Sequence, residues 1–450
     1  MGIHARYSLP FPRETVWQWH TRPGAVTRLT PGFLPMQVAQ ESASLRSGVT
    51  SFDLPAGLRW VAQHEADEYI AGTQFVDVAA NQPVRAATGW RHTHRFEDTP
   101  EGTLLIDDVR ARVPEPVLRA AWAYRQRQLV SDLTFLASLP DAPQLTVAVT
   151  GSSGLVGTHL RAQLTTAGHK VVQLVRGEAK PGQRHWDMDD PDARLLDGID
   201  AVIHLAGESI MGRFTEEKKR KIESSRVEPT RKLARLAAES GVRTFVSASA
   251  VGYYGADAGG RVHTEADGPG DGFLADVCAK WEDAAQDGAQ GSDMRVVNVR
   301  TGLALSSAGG LLPVLAASVR AGLSARFGRG DFWMSWVALD DLTDIYVRSL
   351  FDDSVSGPVN ATAPHPVTND EMSKALARHL HRPDFMSIPT FGPKILLGAE
   401  GAHELALADQ WVAPAAAQQR DWSFRYPTLD AALRHELGKE TLLGDTTGSR

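Results

Sequence analysis

Thr150-Gly151-Ser152-Ser153-Gly154-Leu155-Val156-Gly157 follows the apolar run from Leu145 to Val149 and leads into a helical pattern. Glycines so placed between a strand and a helix make a turn whose backbone N–H groups and helix N-terminus can meet a pyrophosphate, with no Cβ in the way. Strand, glycine trio, helix and second strand fall within one unit of about thirty residues, as a dinucleotide-binding fold requires. The second strand ends at Arg176, where a carboxylate would accept the ribose 2′-hydroxyl of NAD; a guanidinium there favours a 2′-phosphate and therefore NADP. Asp187, after Trp186, closes the expected third strand where related folds hydrogen-bond adenine. Leu205, Ala206 and Gly207 end the fourth strand at the carboxyl edge of the sheet, where small residues let backbone lie against a cofactor. Glu208 beside them is an acid/base candidate or a helix cap. Arg226 opens a helix and either turns inward to a phosphate or nicotinamide ribose or joins the solvated charges Lys218, Lys219, Arg220 and Lys221.

Other chemistry-bearing residues point less clearly. The single cysteine, Cys278, forms no internal disulfide, and nothing in the sequence gives it a histidine partner. His92 and His94 alternate on a strand and so face the same way, as a metal pair would. No third ligand is recognisable, and the sequence assigns no metal. Phe332, Trp333 and Trp336 line a substrate side or pack in the core.

These residues need a frame. A chain of 450 residues, 42% hydrophobic and 22% charged, reads as a soluble globular protein of two or three domains. A net charge of −7 gives no broad basic field, so small molecules are expected partners and nucleic acid is not. Neither a signal-peptide core nor an apolar stretch of about 18 residues is visible, so the expectation is no membrane and a cytoplasmic location. Leu139-Pro140-Asp141-Ala142-Pro143 marks a boundary. Before it, Glu14 to His20 reads as a short helix, followed by strands near 58–65, 73–78, 89–96 and 103–109 and one long amphipathic helix from Val117 to Leu139. This predicts an α+β domain, residues 1–140, in which a curved sheet grips the helix. After the boundary, apolar strands alternate with helical segments, the pattern of parallel βαβ units, over residues 144–384. Residues 385–443 read as a small appended subdomain, and Gly444 to Arg450 as a frayed tail.

Two resemblances sharpen the picture. Phe11-Pro12-Arg13-Glu14-Thr15-Val16-Trp17, Leu29-Thr30-Pro31, His92-Thr93-His94-Arg95-Phe96 and Asp107-Asp108-Val109 resemble the START-like and polyketide-cyclase-like helix-grip superfamily. That resemblance implies an apolar ligand cavity in the first domain. From about Thr146 to Leu437 the chain resembles an atypical branch of the extended short-chain dehydrogenase/reductases, the epimerase family proteins, also described as nucleoside-diphosphate-sugar epimerases. The motifs are the glycine turn, Leu205 to Ile210, Ser225-Arg226-Val227, Tyr253-Tyr254-Gly255, Trp281-Glu282, Arg300-Thr301-Gly302, Trp336 with Asp340-Asp341-Leu342, and Gly357 to Pro364. The resemblance implies a Rossmann-type doubly wound parallel sheet with NADP across it, Thr301 among the residues beside the cofactor, and a small C-terminal region covering the substrate side.

The catalytic pattern departs from that superfamily, whose members use a Ser or Thr, a Tyr, a Lys four residues later and an Asn. Alignment on Trp281-Glu282 puts Leu274 at the Tyr position and Cys278 at the Lys position, with Arg226 in place of the Asn. Ser249 keeps the hydroxyl, and Tyr253 and Tyr254 follow shortly after it. A phenol is ionised only to about 10⁻³ at neutral pH, so using it as phenolate without a nearby cation adds roughly 4 kcal/mol to a barrier. Ser249, Tyr253, Tyr254 and Glu208 are thus the catalytic candidates for an NADP(H)-dependent oxidoreductase or epimerase with a degenerate site. The alternatives are a non-catalytic NADP-sensing regulator and a carrier of apolar ligands.

Overall fold

The structure, a computed structural model, describes residues 2–444; the tail expectation falls almost wholly on residues 445–450, outside the described residues. The chain divides into two compact units at Pro140/Asp141, with Ala162–Gly168 and the stretch from Arg434 grouped with the first.

The first unit is a seven-stranded antiparallel sheet in the order Gly2–Leu9, Gly102–Arg110, Arg91–Thr99, Gln74–Ala79, Arg59–His64, Val49–Asp53, Gln37–Gln40. Strand alternation builds its core: Ile3, Ala5, Tyr7 and Leu9 point inward while His4, Arg6 and Ser8 point out. The long helix is Glu115–Ala137, with prolines at its entrance, where a missing N–H costs no hydrogen bond. Leu118, Ala121 and Trp122 pack against Ile3, Ala5 and Val109, and two to three turns beyond Trp122 Leu129 and Leu133 pack with Tyr7, Leu9, Phe96 and Leu105. Arg28 and Asp132, both nearly inaccessible, form a two-point ion pair at 2.8 and 2.6 Å.

The second unit is built on a seven-stranded parallel sheet ordered Gln183–His185, Lys170–Val175, Thr146–Thr150, Ala201–His204, Thr244–Ala250, Arg295–Thr301, Gly357–Ala361. In sequence order this is 3-2-1-4-5-6-7, a doubly wound sheet whose switch point lies between Thr146–Thr150 and Ala201–His204. Its central strands are continuous apolar runs because helices cover both faces: Val147, Ala148, Val149, Val202, Ile203, Phe245 and Val246 are buried. Helices Val227–Glu239 and Phe273–Ala289 approach closely at Gly288, where a Cβ would lie 2.6 Å from both the Ala234 side chain and the Arg231 carbonyl. The C-terminal segment adds Asp409–Val412 in parallel to Asp257–His263, on the carboxyl side of the sheet. Residues 385–433 belong to this same compact unit. No helix among the described residues is long and apolar enough to cross a membrane.

Candidate functional site

The glycine turn sits at the switch point. Gly151 has φ of 62°, and a Cβ there would lie 2.9 Å from the Leu205 carbonyl; a Cβ on Gly157 would lie 2.3 Å from the Gly151 oxygen. The first glycine therefore lets two strand ends meet, and the third seats the helix Leu155–Thr166 on the turn. Ser153 and Gly154 are exposed, Leu155 and Val156 half-buried. Ser152 faces inward: its hydroxyl donates to Gln173 at 3.1 Å, leaving only its backbone for a ligand.

Thr150 ties the turn to the fourth strand. Its Oγ1 accepts from the Leu205 and Ala206 N–H groups at 3.0 and 3.1 Å, so its own proton goes to His204 Nδ1 at 2.8 Å. His204 then donates through Nε2 to Thr230, which also receives the Trp281 indole N–H, both at 2.9 Å. Burial, reinforced by the Arg226 charge, pushes the His204 imidazole down to about 3. The unfolded chain binds this proton near pH 6.5 but the native state refuses it until about pH 3, so stability is full above 6.5 and falls on acidification through that window. At pH 5 the expected loss is about 2 kcal/mol for this one residue. Denaturant unfolding at pH 7 and pH 5 measures it, and His204→Gln is expected to change the difference by that amount; an unchanged difference assigns it elsewhere.

Around this seam lie the other predicted cofactor residues. Arg176 is exposed immediately beyond the second strand. Asp187 is exposed too, and its Oδ1 accepts from the N–H groups of Asp189 and Asp190, which hold its carboxyl below the usual range. Gly207 leaves room for Arg226: a Cβ would come within 3.0 Å of the guanidinium. Arg226 turns inward, bonds the Ile222 carbonyl at 3.1 Å and lies 5.1 Å from the Trp281 ring centroid, so the solvated alternative does not describe it. Thr301 ends the sixth strand.

The catalytic candidates separate sharply. Ser249, buried at the end of the fifth strand, donates to Glu282 Oε1 at 2.6 Å. Glu282 accepts a two-point bond from Arg300, both contacts 2.8 Å, and Arg300 Nη1 donates to the Tyr254 hydroxyl at 2.8 Å. Tyr254 in turn donates to Asn360 Oδ1 at 2.7 Å. Burial pushes the Tyr254 phenol up to about 12 against the pull of Arg300. Its hydroxyl is saturated by two internal partners, so Tyr254 is an anchor of the network rather than a free acid. Tyr253 differs: it is half-buried, and the Arg300 guanidinium lies 3.5 Å from its ring centroid. Burial keeps its phenol above the ordinary value, with Arg300 opposing. Glu208 is paired with Lys218 at 2.9 Å, which holds its carboxyl below the usual range and removes the proton an acid would donate. Cys278 is buried and its thiol pushed up to about 12, which leaves it inert.

Leu274, Cys278 and Glu282 form an i, i+4, i+8 row on the buried face of Phe273–Ala289. The polar function absent at 274 and 278 reappears one turn later as Glu282, and the cation comes from the neighbouring strand as Arg300. Sequence reading gave neither residue a role. A carboxylate within an otherwise apolar helical stripe was the available signal.

This arrangement defines an NAD(P)-binding protein of the short-chain dehydrogenase/reductase type. Residues 147–360 match the NAD dependent epimerase/dehydratase family, and residues 388–436 match a domain of unknown function, DUF1731. An epimerase family protein of Mycobacterium bovis is 39% identical over 291 residues, covering 64% of this chain and 96% of that protein. The chain belongs to the NAD dependent epimerase/dehydratase family. A crystal structure of the nucleoside-diphosphate sugar epimerase from Corynebacterium glutamicum is similar with a TM-score of 0.87 and 48% identity, covering 98% of this chain and 91% of that one. Human epimerase family protein SDR39U1, solved with NADPH, gives a TM-score of 0.59 at 28% identity over 65% of this chain and 99% of its own.

Proposed function

We propose that the protein is an NADP(H)-dependent oxidoreductase or epimerase acting on a carbonyl or hydroxyl carbon, with Tyr253 as proton donor. The observation that carries this reading is the Arg300 guanidinium against the Tyr253 ring at the carboxyl edge of the sheet. The cradle at Gly151, Gly154 and Gly157, which added Cβ atoms would crowd, fits a dinucleotide, with Leu205 to Gly207 and Arg226 alongside and Arg176 and Asp187 at its adenosine end. When bound, the nicotinamide supplies a hydride donor or acceptor. Tyr253 keeps its proton at neutral pH and delivers it to a carbonyl oxygen, and Arg300 offsets the negative charge left on the ring. Ser249, whose proton is committed to Glu282, can accept from a substrate hydroxyl but has no proton for a carbonyl oxygen. A nucleoside-diphosphate sugar is the substrate class that the Corynebacterium relative's description supports. NADP over NAD follows from Arg176 and agrees with the NADPH of the human relative.

Arg176→Ala is expected to weaken NADPH binding by about 10- to 100-fold, the worth of a charge-assisted phosphate contact, and to leave NADH affinity unchanged. Calorimetric titration with both dinucleotides checks this; equal losses for the two would remove the 2′-phosphate role.

For the N-terminal unit, the sheet and long helix support a START-like module for an apolar ligand. A second reading, an NADP sensor, is favoured by the internal commitment of Ser249 and Tyr254. Turnover of nicotinamide absorbance across nucleotide sugars and simple carbonyls tests the first; stoichiometric binding with no turnover selects the second.

A further inference from the structure

The N-terminal unit encloses a cavity of about 330 Å³, walled largely by apolar side chains including Leu29, Phe52, Trp60 and Trp122. One patch of that wall is different. Asp77, His92 and His94 line it, and Asp107 lies directly behind. Three neighbouring antiparallel strands bring them together: Asp77 pairs across the ladder with His92, and His94 with Asp107. The side chains of His92, His94 and Asp107 are only 3–5% exposed, and that of Asp77 is 14% exposed.

The orientation of the rings matters most. His92 Nε2 and His94 Nδ1 both face one oxygen of Asp107, at 2.8 and 3.1 Å. A carboxylate can only accept, so both of these nitrogens carry the proton in the neutral rings. That leaves His92 Nδ1 and His94 Nε2 as bare lone pairs, and both turn toward Asp77 Oδ2, at 3.4 and 3.7 Å. Asp77 is held in place from its other oxygen by the Trp90 indole N–H at 2.7 Å. In the neutral rings three electron-pair donors thus converge within 4.8 Å of one another, and in a low-dielectric wall the carboxylate charge is balanced either by a second proton on His92, which the two carboxylates favour, or by a metal ion in that proton's place. The separations are long for hydrogen bonds but close to the edge of about 3.3 Å between ligands of a tetrahedral ion with bonds of about 2.0 Å. Asp107 bonding the outer nitrogen of each ring is the outer-shell pattern that fixes metal-binding imidazoles.

We propose that Asp77, His92 and His94 bind a divalent transition-metal ion whose open coordination position faces the apolar cavity. The site takes, as a further ligand, an apolar molecule carrying an oxygen donor. Two imidazoles and one carboxylate suit zinc, cobalt(II) or iron(II) and disfavour magnesium or calcium. The proposal stands on the first unit alone and is independent of the reaction assigned to the second.

The test uses the full chain, stripped with a chelator and titrated with Co²⁺ or Zn²⁺. One equivalent of Co²⁺ is expected, with the visible absorption of a low-symmetry site, and Zn²⁺ is expected to displace it. His92→Gln, His94→Gln and Asp77→Asn should each abolish the signal. Asp107→Asn is expected to weaken binding by about 10- to 100-fold. Circular dichroism and the thermal unfolding of the first unit report whether each variant is folded. No binding to the unmodified chain, or binding that survives both histidine changes, overturns the proposal. In either case the four groups share protons only.

Discussion

Tyr253→Phe is expected to lower kcat for carbonyl reduction by roughly 100- to 10,000-fold, the span for a positioned general acid, with NADPH affinity unchanged. The loss follows from the contrast between adjacent tyrosines. Tyr254 spends its hydroxyl on Arg300 and Asn360, whereas Tyr253 stands half-buried beside the same guanidinium. Because burial keeps the Tyr253 phenol above its ordinary value, the acid form dominates at neutral pH. The reductive rate should be level through neutrality and decline only in alkaline solution, while the oxidative rate, which needs the phenolate, should climb with pH. Steady-state rates in both directions measure this. A Phe variant that keeps its rate to within about threefold removes Tyr253 from the chemistry.

Glu282→Ala is expected to cost about 3–5 kcal/mol of stability, since it leaves a buried guanidinium without its counter-charge. Arg300 is 3% exposed and receives a two-point carboxylate contact; burial opposes its charge, yet Glu282 more than restores it. For a unit of this size the change corresponds to a drop of about 5–8 °C in the melting transition. The double variant Glu282→Leu/Arg300→Leu should recover much of the loss, because apolar replacement removes both desolvated charges together. Calorimetry of the single and double variants settles the coupling. Additive losses would mean that the pair contributes to stability as two independent residues.

What the sequence made legible was whatever repeats locally. The parallel sheet follows from apolar runs such as Leu145–Val149 alternating with helical periods, and the glycine turn from its place between them. The run Leu145–Val149 lies within one residue of the observed strand Thr146–Thr150. The first strand, Gly2–Leu9, was missed although its inward Ile3, Ala5, Tyr7 and Leu9 alternate strictly, because His4 and Arg6 dilute its composition. The site was legible only where chemistry sits at or just beyond a strand end or at the start of a helix. Ser249, Arg226 and the tyrosines could be nominated, but their partners arise from tertiary packing: Glu282 is 33 residues from Ser249, and Asn360 is 106 from Tyr254. Arg300 closes an apolar strand and reads locally as an ordinary surface charge. Asp77 could not be joined to His92 because strand register, which sets that pairing, has no short-range signature.

The two-point contact between positions 282 and 300 also constrains how this chain can vary by descent. A lineage that alters one of them alone passes through a form with a stranded charge at its centre, so viable histories should exchange both residues nearly together. Where relatives lack the carboxylate they should lack the guanidinium as well, and the tyrosine resting on that guanidinium should then drift freely.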